Sequence, residues 1–152
     1  MKTILVGYDG TRPAGRALER AAELAQAFGA KILVVSVAAP DPLPSTGAFG
    51  LLPYYELTQP RQTHEPLWDE HRRHVEAFFA GAGVEADFAG VAGLPAEAIV
   101  ELAEEHEADL IVVGTREPGF LERLLGGSVS EGVARRAGCD VLIVHPADDD
   151  AA

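Results

Sequence analysis

KILVVSV, residues 31–37, is the stretch that decides the fold. An apolar run of this length, rich in β-branched residues, is typical of a strand covered by helices on both faces. Strands of this kind run parallel to their neighbours and need a helical crossover to reach them. The run therefore predicts a central strand of an α/β sheet.

The chain on both sides of this run alternates between short β-rich segments and amphipathic helical segments. The other four predicted strands are TILVGYD (3–9), VEADFAG (84–90), DLIVVGT (109–115) and DVLIVH (140–145). The predicted helices cover 13–28 and 65–80, and two more begin at Pro95 and near Ser128. In the first helix one face carries Ala14, Ala17, Leu18, Ala21, Leu24, Ala25 and Phe28. This alternation predicts a doubly wound, five-stranded parallel sheet.

The length of 152 residues suits one domain, which we expect over 1–146 with a proline-rich loop at 39–60 and an acidic flexible tail at 147–152. No apolar run approaches the length that spans a bilayer, so we expect no membrane segment. The start MKTILVGYDG lacks the pattern of a secretory signal, and the chain has a single cysteine, Cys139. We therefore expect a cytoplasmic protein.

The net charge of −12 bears on the partners of the protein. A field of this sign repels polyanions, which disfavours nucleic acid as a partner. A small anion can still bind to backbone amides at the start of a helix.

GTREPGFLERLLGGSVSEG, residues 114–132, combines two glycine clusters with a helix start. Ser128 and Glu131 form an S-x-x-E capping box, and Gly127 before it lets an anion approach the backbone. The alternative is that a Gly-Gly-Ser cap simply begins a helix and holds no ligand. The position favours a site, because ligands of doubly wound sheets bind beyond the carboxyl ends of the strands where the strand order reverses.

The spacing of this stretch resembles the G-x2-G-x9-G-[S/T] motif of the universal stress protein family. Gly114 fills the first position, Gly127 and Ser128 fill the last, and Glu117 stands where the middle glycine is expected. ILVGYDGT, ADLIVVGTR and GSVSEGVARRAGCDVLIV extend the resemblance over most of the chain. It implies a three-layer, adenine-nucleotide α-hydrolase-like α/β fold with strand order 3-2-1-4-5.

The resemblance also implies a site for ATP, with Mg²⁺ as a possible companion of the phosphates. In this family pattern, Asp9 contacts the nucleoside, the backbone of Val37 meets the adenine, and Val113 and Gly114 flank the ribose and phosphates. The residues that match the phosphate-binding end are Gly127, Ser128, Val129 and Ser130. From the residues alone, Asp9 has a second interpretation as a cap of the following helix.

Glu117 is the departure from the motif that matters physically. Loss of a glycine needed for close approach or positive φ costs on the order of 1 kcal/mol. Two unit charges about 5 Å apart at an effective dielectric near 20 repel by roughly 3 kcal/mol. Arg116, Arg123 or a bridging metal are the available ways to offset the charge.

Other candidate sites receive plainer interpretations. HEPLWDEHRRH, residues 64–74, places His71 and His74 on one helix, but charges all round favour a solvated helix face over a metal pair. Cys139 is expected to pack. Neither a dinucleotide fingerprint nor a P-loop is present, and no Ser, His and Asp set suggests a hydrolase.

The sequence thus predicts a homodimer that binds ATP as a ligand or signal in a stress response, with slow or no hydrolysis. Pairing of the edge strand 140–145 between two chains, as in the family, would form the dimer. The alternative is a nucleotide-independent interaction module that acts through its dimer and the loop 39–60. An enzyme of the wider adenine-nucleotide α-hydrolase-like group is disfavoured because an S-G-G-x-D-S loop is missing after the first strand.

Overall fold

The structure, a computed structural model, describes residues 1–38, 64–115 and 129–145. Five strands and four helices alternate along these ranges. They are β1 (Thr3–Gly7), α1 (Arg12–Phe28), β2 (Lys31–Ala38), α2 (Glu65–Ala82), β3 (Ala86–Ala92), α3 (Pro95–Glu105), β4 (Leu110–Gly114), α4 (Val129–Arg136) and β5 (Asp140–Val144). The predicted loop 39–60 and tail 147–152 lie outside the described residues.

All five strands form one parallel sheet in the order β3-β2-β1-β4-β5. The predicted α/β class and strand order 3-2-1-4-5 are confirmed. β2 is an interior strand between β3 and β1, as its apolar run indicates, and Ile32, Val34 and Val35 are almost fully buried. Because β1 continues to β2 on one side while β4 joins it on the other, the strand order reverses between β1 and β4.

Two helical layers cover the sheet. On one face the small side chains of α1, among them Ala14, Ala17 and Ala21, pack with Val75 and Phe79 of α2 over Ile4 and Val6. On the other face Ile99 and Ala103 of α3 pack with Val133 of α4 over Leu5 and Ile111. Alanines let a helix backbone approach a sheet closely, so each layer contributes a dense half of the core.

Phe28 corrects the predicted apolar face of α1. Its side chain is 59% exposed, although its spacing puts it in line with buried residues. It is the last residue of the helix, and the chain turns at once through Gly29 in the left-handed region, with φ 67°. The turn leads directly to Lys31 of β2. Phe28 therefore lies at the very end of α1, beyond the part of the helix that packs on the core.

Candidate functional site

A crevice is expected where β1 and β4 part. Their pairing runs only from Ile4 with Leu110 to Val6 with Val112. By contrast, β4 stays paired with β5 as far as Gly114 and Val144. The carboxyl ends of β1 and β4 therefore separate at the reversal of strand order, which is where doubly wound sheets bind ligands.

Asp9 lies in the turn that follows β1, with its carboxylate exposed. Oδ1 accepts hydrogen bonds from the backbone N–H of Thr11, at 3.0 Å, and from its hydroxyl, at 2.5 Å. Thr11 is in turn the N-cap of α1, and its Oγ1 accepts from the N–H of Ala14 at 3.5 Å. Asp9 therefore orders the turn through the capping residue, and the cap itself is Thr11.

Gly114 is the last residue of β4 and packs closely against the start of α1. A Cβ built on this glycine would collide with the backbone carbonyl of Pro13 in the first turn of α1. The side chain of Val113 is 4% exposed and lies beside Gly7 of β1. The flanking role of Val113 that the resemblance implies stays a prediction.

Val37 lies near the end of β2, paired in register with Val91 of β3. Its half-buried side chain packs against the core layer of α3 and α4. The strand continues one residue further than predicted, to Ala38, whose carbonyl accepts the N–H of Gly93 at 3.0 Å. Val37 is therefore one strand away from the β1 turn at the same edge of the sheet.

The predicted phosphate-binding end is only partly within the described residues. Gly127 and Ser128, like Glu117, lie outside them. α4 begins at Val129, which is 37% exposed, while Ser130 is 6% exposed in the first turn. The described part of this end is thus the first turn of α4, and the positive end of a helix dipole attracts anions.

A buried polar cluster beneath the β1 turn is the feature that sequence reasoning missed. Ser36 Oγ and His71 Nδ1 lie 2.7 Å apart, and the two residues are 2% and 8% exposed. The Tyr8 ring contacts the His71 ring edge-on at a centroid distance of 5.2 Å and stacks on His74 at 5.8 Å. The interpretation of 64–74 as a solvated helix face is wrong for His71, which points into the protein.

Ser36 was the feature of the sequence that could have predicted this cluster. A serine inside a strand that is buried on both faces needs a hydrogen-bond partner. A histidine spaced in phase with Val75 and Phe79 on the next helix can supply one. The distance between Ser36 Oγ and His71 Nδ1 is also that of a nucleophile and its general base. Ser36 is, however, too deeply buried for a substrate to reach it.

Burial sets the protonation of the cluster. It lowers the pKa of His71 below its ordinary value of 6.5, against the opposing charges of Glu70 and Asp9 and with a smaller effect of His74 in the same direction. It raises the pKa of Tyr8, with smaller contributions from Asp9 and Glu70. His71 is therefore neutral, and Tyr8 keeps its proton, at neutral pH.

Trp68 completes the wall of α2 beside this cluster. A Cβ on Gly90 of β3 would lie 2.5 Å from the indole ring, so the glycine makes room for it. Gly90 pairs in register with Ser36. The aromatic and imidazole rings of α2 thus line the carboxyl ends of β1, β2 and β3 on one face of the sheet.

Elsewhere the described residues offer less chemistry. Cys139 is half-buried against the core layer of α3 and α4, and burial raises the pKa of its thiol. A raised pKa disfavours the reactive thiolate, in agreement with packing. Across 1–38, 64–115 and 129–145 no three His, Cys, Asp or Glu side chains cluster as a metal site would require. None of the helices in these ranges has the length and apolar character needed to cross a membrane.

Comparison with known proteins gives consistent matches over nearly the full chain. A model described as the universal stress protein family matches residues 1–145. Universal stress protein Rv1636 of Mycobacterium tuberculosis is 39% identical over 145 residues, which cover 95% of this chain and 96% of the relative.

Solved structures match as well. A crystal structure of a universal stress protein in complex with cAMP is 34% identical, with a TM-score of 0.71 over 95% of this chain and 96% of that one. The structure of the universal stress protein from Archaeoglobus fulgidus in complex with dAMP is 24% identical, with a TM-score of 0.64 over 94% and 97% of the two chains. The second of these is similar in fold.

Proposed function

The chain belongs to the universal stress protein family, and we propose that it binds an adenine nucleotide in the crevice between the ends of β1 and β4. The nucleotide we propose is ATP, accompanied by Mg²⁺. It acts as a ligand or signal in a stress response, in the cytoplasm, and its hydrolysis is slow or absent. The chain is then a binding protein and not a dedicated enzyme.

The observation that carries this proposal is the arrangement at the parted strand ends. The Asp9 turn and Gly114 stand on either side of the point where β1 and β4 stop pairing. The relative that is 34% identical was crystallised with cAMP, which supports an adenine nucleotide as the class of ligand.

Each predicted residue has a role in this proposal. The Asp9 carboxylate accepts hydrogen bonds from the nucleoside, and the backbones of Val37 and Val113 border the base and ribose. Gly114 allows close approach of the chain. The amides at the start of α4 and the residues before it, Gly127, Ser128, Val129 and Ser130, hold the phosphates. Mg²⁺ offsets the negative charge of the phosphates, which the net charge of −12 on the protein would otherwise repel.

We expect Asp9→Ala to weaken ATP binding by about tenfold or more, because a hydrogen bond to a charged group contributes roughly 1.5–3 kcal/mol. Isothermal titration calorimetry with ATP and Mg²⁺ measures the change. Ser128→Ala is expected to weaken binding as well, through the phosphate end. Unchanged affinity in both variants would overturn the site assignment.

Two further variants separate charge from local structure at Asp9. Asp9→Asn keeps an oxygen that can accept from Thr11 but removes the charge, so a loss of affinity in this variant is assigned to the ligand. Asp87→Ala is the matched control, since Asp87 is an exposed acid near the opposite end of the sheet, on β3. It is expected to bind as the unaltered protein does.

We also propose a homodimer formed through the strand at 140–145. β5 is the edge of the sheet next to β4, and Val141, Leu142 and Ile143 are only half-buried. An apolar edge strand exposes unpaired backbone groups that a second copy can cover. Sedimentation velocity at micromolar concentration is expected to give twice the mass of one chain. A single-chain mass at every concentration would contradict the dimer.

A further inference from the structure

The turn that carries Asp9 lies directly on the ring of His71. Gly10, the next residue, has φ +80°, and a Cβ built there would lie 2.9 Å from His71 Nε2. The other ring nitrogen, Nδ1, is 2.7 Å from Ser36 Oγ on β2. The imidazole ring of His71 therefore lies between Ser36 of β2 and the turn that follows β1.

The neighbours of the His71 ring hold it in place, and its burial favours the neutral form. Ser36 is 2% exposed, and Tyr8 packs edge-on against the ring. The titratable groups that face His71 are Tyr8 and Asp9 from β1 and its turn, and Glu70 and His74 from α2. β2 contributes Ser36, which does not titrate. The acids favour an added proton on the ring, and burial opposes it.

We propose that His71 is a positioning residue that holds the Asp9–Gly10 turn in its binding geometry, and that protonation of its ring loosens the turn and weakens nucleotide binding. The effect on the nucleotide rests on the proposed function. The effect on the turn does not, because it concerns contacts within the protein.

The physical reason lies in the two nitrogens. A neutral ring has one N–H donor and one acceptor, whereas a protonated ring has two donors and a charge. The charged ring needs solvation that the contacts with Ser36, Tyr8 and Gly10 do not give it. For water to solvate the charged ring, either α2 or the turn must move away from it. The turn is the smaller element and is therefore the one expected to move.

The sign of the pH dependence follows from the lowered pKa of His71. The unfolded chain takes up the proton near pH 6.5, and the folded chain takes it up only at lower pH. The contribution of the neutral ring to folding stability is therefore complete above about pH 6.5 and declines as the pH falls from there toward the folded-state pKa. Nucleotide affinity compares two folded states, so it falls only as the pH approaches that folded-state pKa.

The test measures the affinity for cAMP, whose phosphodiester keeps the same charge across the range, so that the ligand does not titrate. In the unaltered protein we expect affinity to fall severalfold between about pH 7.5 and about pH 5. His71→Asn keeps a polar group for Ser36 and cannot take up the proton, so its affinity is expected to change by no more than about twofold over the same range. His106→Asn, at an exposed histidine that follows α3 outside the cluster, is the matched control and is expected to keep the pH profile of the unaltered protein.

A second readout needs no ligand. Amide hydrogen exchange reports the protection of the Thr11 N–H, which is bonded to Asp9. We expect this protection to fall as the pH is lowered in the unaltered protein and in His106→Asn, and to stay level in His71→Asn. Circular dichroism checks that each variant is folded at both pH values.

The outcomes distinguish the two proposals. If cAMP binds and His71→Asn keeps the full pH dependence, the role of His71 is overturned while nucleotide binding stands. If no adenine nucleotide binds at either pH, the proposed function fails. Thr11 protection then decides the role of His71, with equal profiles in the unaltered protein and His71→Asn overturning it.

Discussion

Gly114→Ala is expected to lower the free energy of unfolding by about 3 kcal/mol, through overpacking against backbone. The added Cβ would collide with the carbonyl of Pro13 and approach the Pro13 ring to 2.9 Å. Neither neighbour can rotate away, because both belong to the first turn of α1, which packs across the end of β4. Chemical denaturation followed by circular dichroism measures the change.

Gly15→Ala is the matched control for this substitution. Gly15 belongs to the same helix, and a Cβ there meets no atom within 4 Å. Alanine stabilises a helix interior by about 0.5–1 kcal/mol over glycine, so this variant is expected to be slightly more stable than the unaltered protein. Equal stability of Gly114→Ala and the unaltered protein would mean that the first turn of α1 can shift at little cost.

Gly114 thus has a structural requirement that does not depend on any ligand. The family motif predicts that Gly114 flanks the ribose and phosphates, and the structure adds that a helix backbone already occupies the place of its side chain. The same contact holds the start of α1, and with it the Asp9 turn, against the end of β4. The two sides of the crevice are therefore coupled through one glycine.

The interior strands β1, β2 and β4 were predictable because burial on both faces leaves an unambiguous apolar run. The ends of strands were less so. The third strand was predicted at 84–90 and lies at Ala86–Ala92, because Gly83 ends α2 in the left-handed region and the N–H of Val84 still bonds back to Phe79. A capping hydrogen bond of this kind leaves no mark in hydrophobic periodicity.

The candidate-site residues follow from the family motif and stay predictions. For Asp9 the sequence left a nucleoside contact and a capping role open, and the structure shows that Thr11 is the cap and that Asp9 accepts hydrogen bonds from it. His71 was missed, because seven of its neighbours in 64–74 are polar or charged and hide its phase in the helix. Its partner, Ser36, lies 35 residues away, and such a pairing emerges only from the fold.

Glu117→Gly is expected to tighten ATP binding by about a hundredfold through removal of the charge, with a further gain from the glycine backbone. Glu117 lies outside the described residues, so the argument is electrostatic. A carboxylate about 5 Å from a phosphate charge at an effective dielectric near 20 is repelled by roughly 3 kcal/mol, which corresponds to about two powers of ten in affinity. Calorimetric titration with ATP and Mg²⁺ of the variant beside the unaltered protein measures the gain.

Two variants divide this gain between charge and backbone. Glu117→Gln removes the charge alone, and the further step to glycine restores the freedom of the backbone, on the order of 1 kcal/mol. Glu97→Gln, in the first turn of α3, makes the same change in net charge at another exposed position and is expected to leave the affinity unchanged. The gain from removing the charge is expected to be smaller for cAMP than for ATP, because cAMP carries a single phosphodiester charge. Equal ATP affinity in the unaltered protein, the glutamine variant and the glycine variant would show that Glu117 faces away from the phosphates, and that the loop binds ATP without its middle glycine.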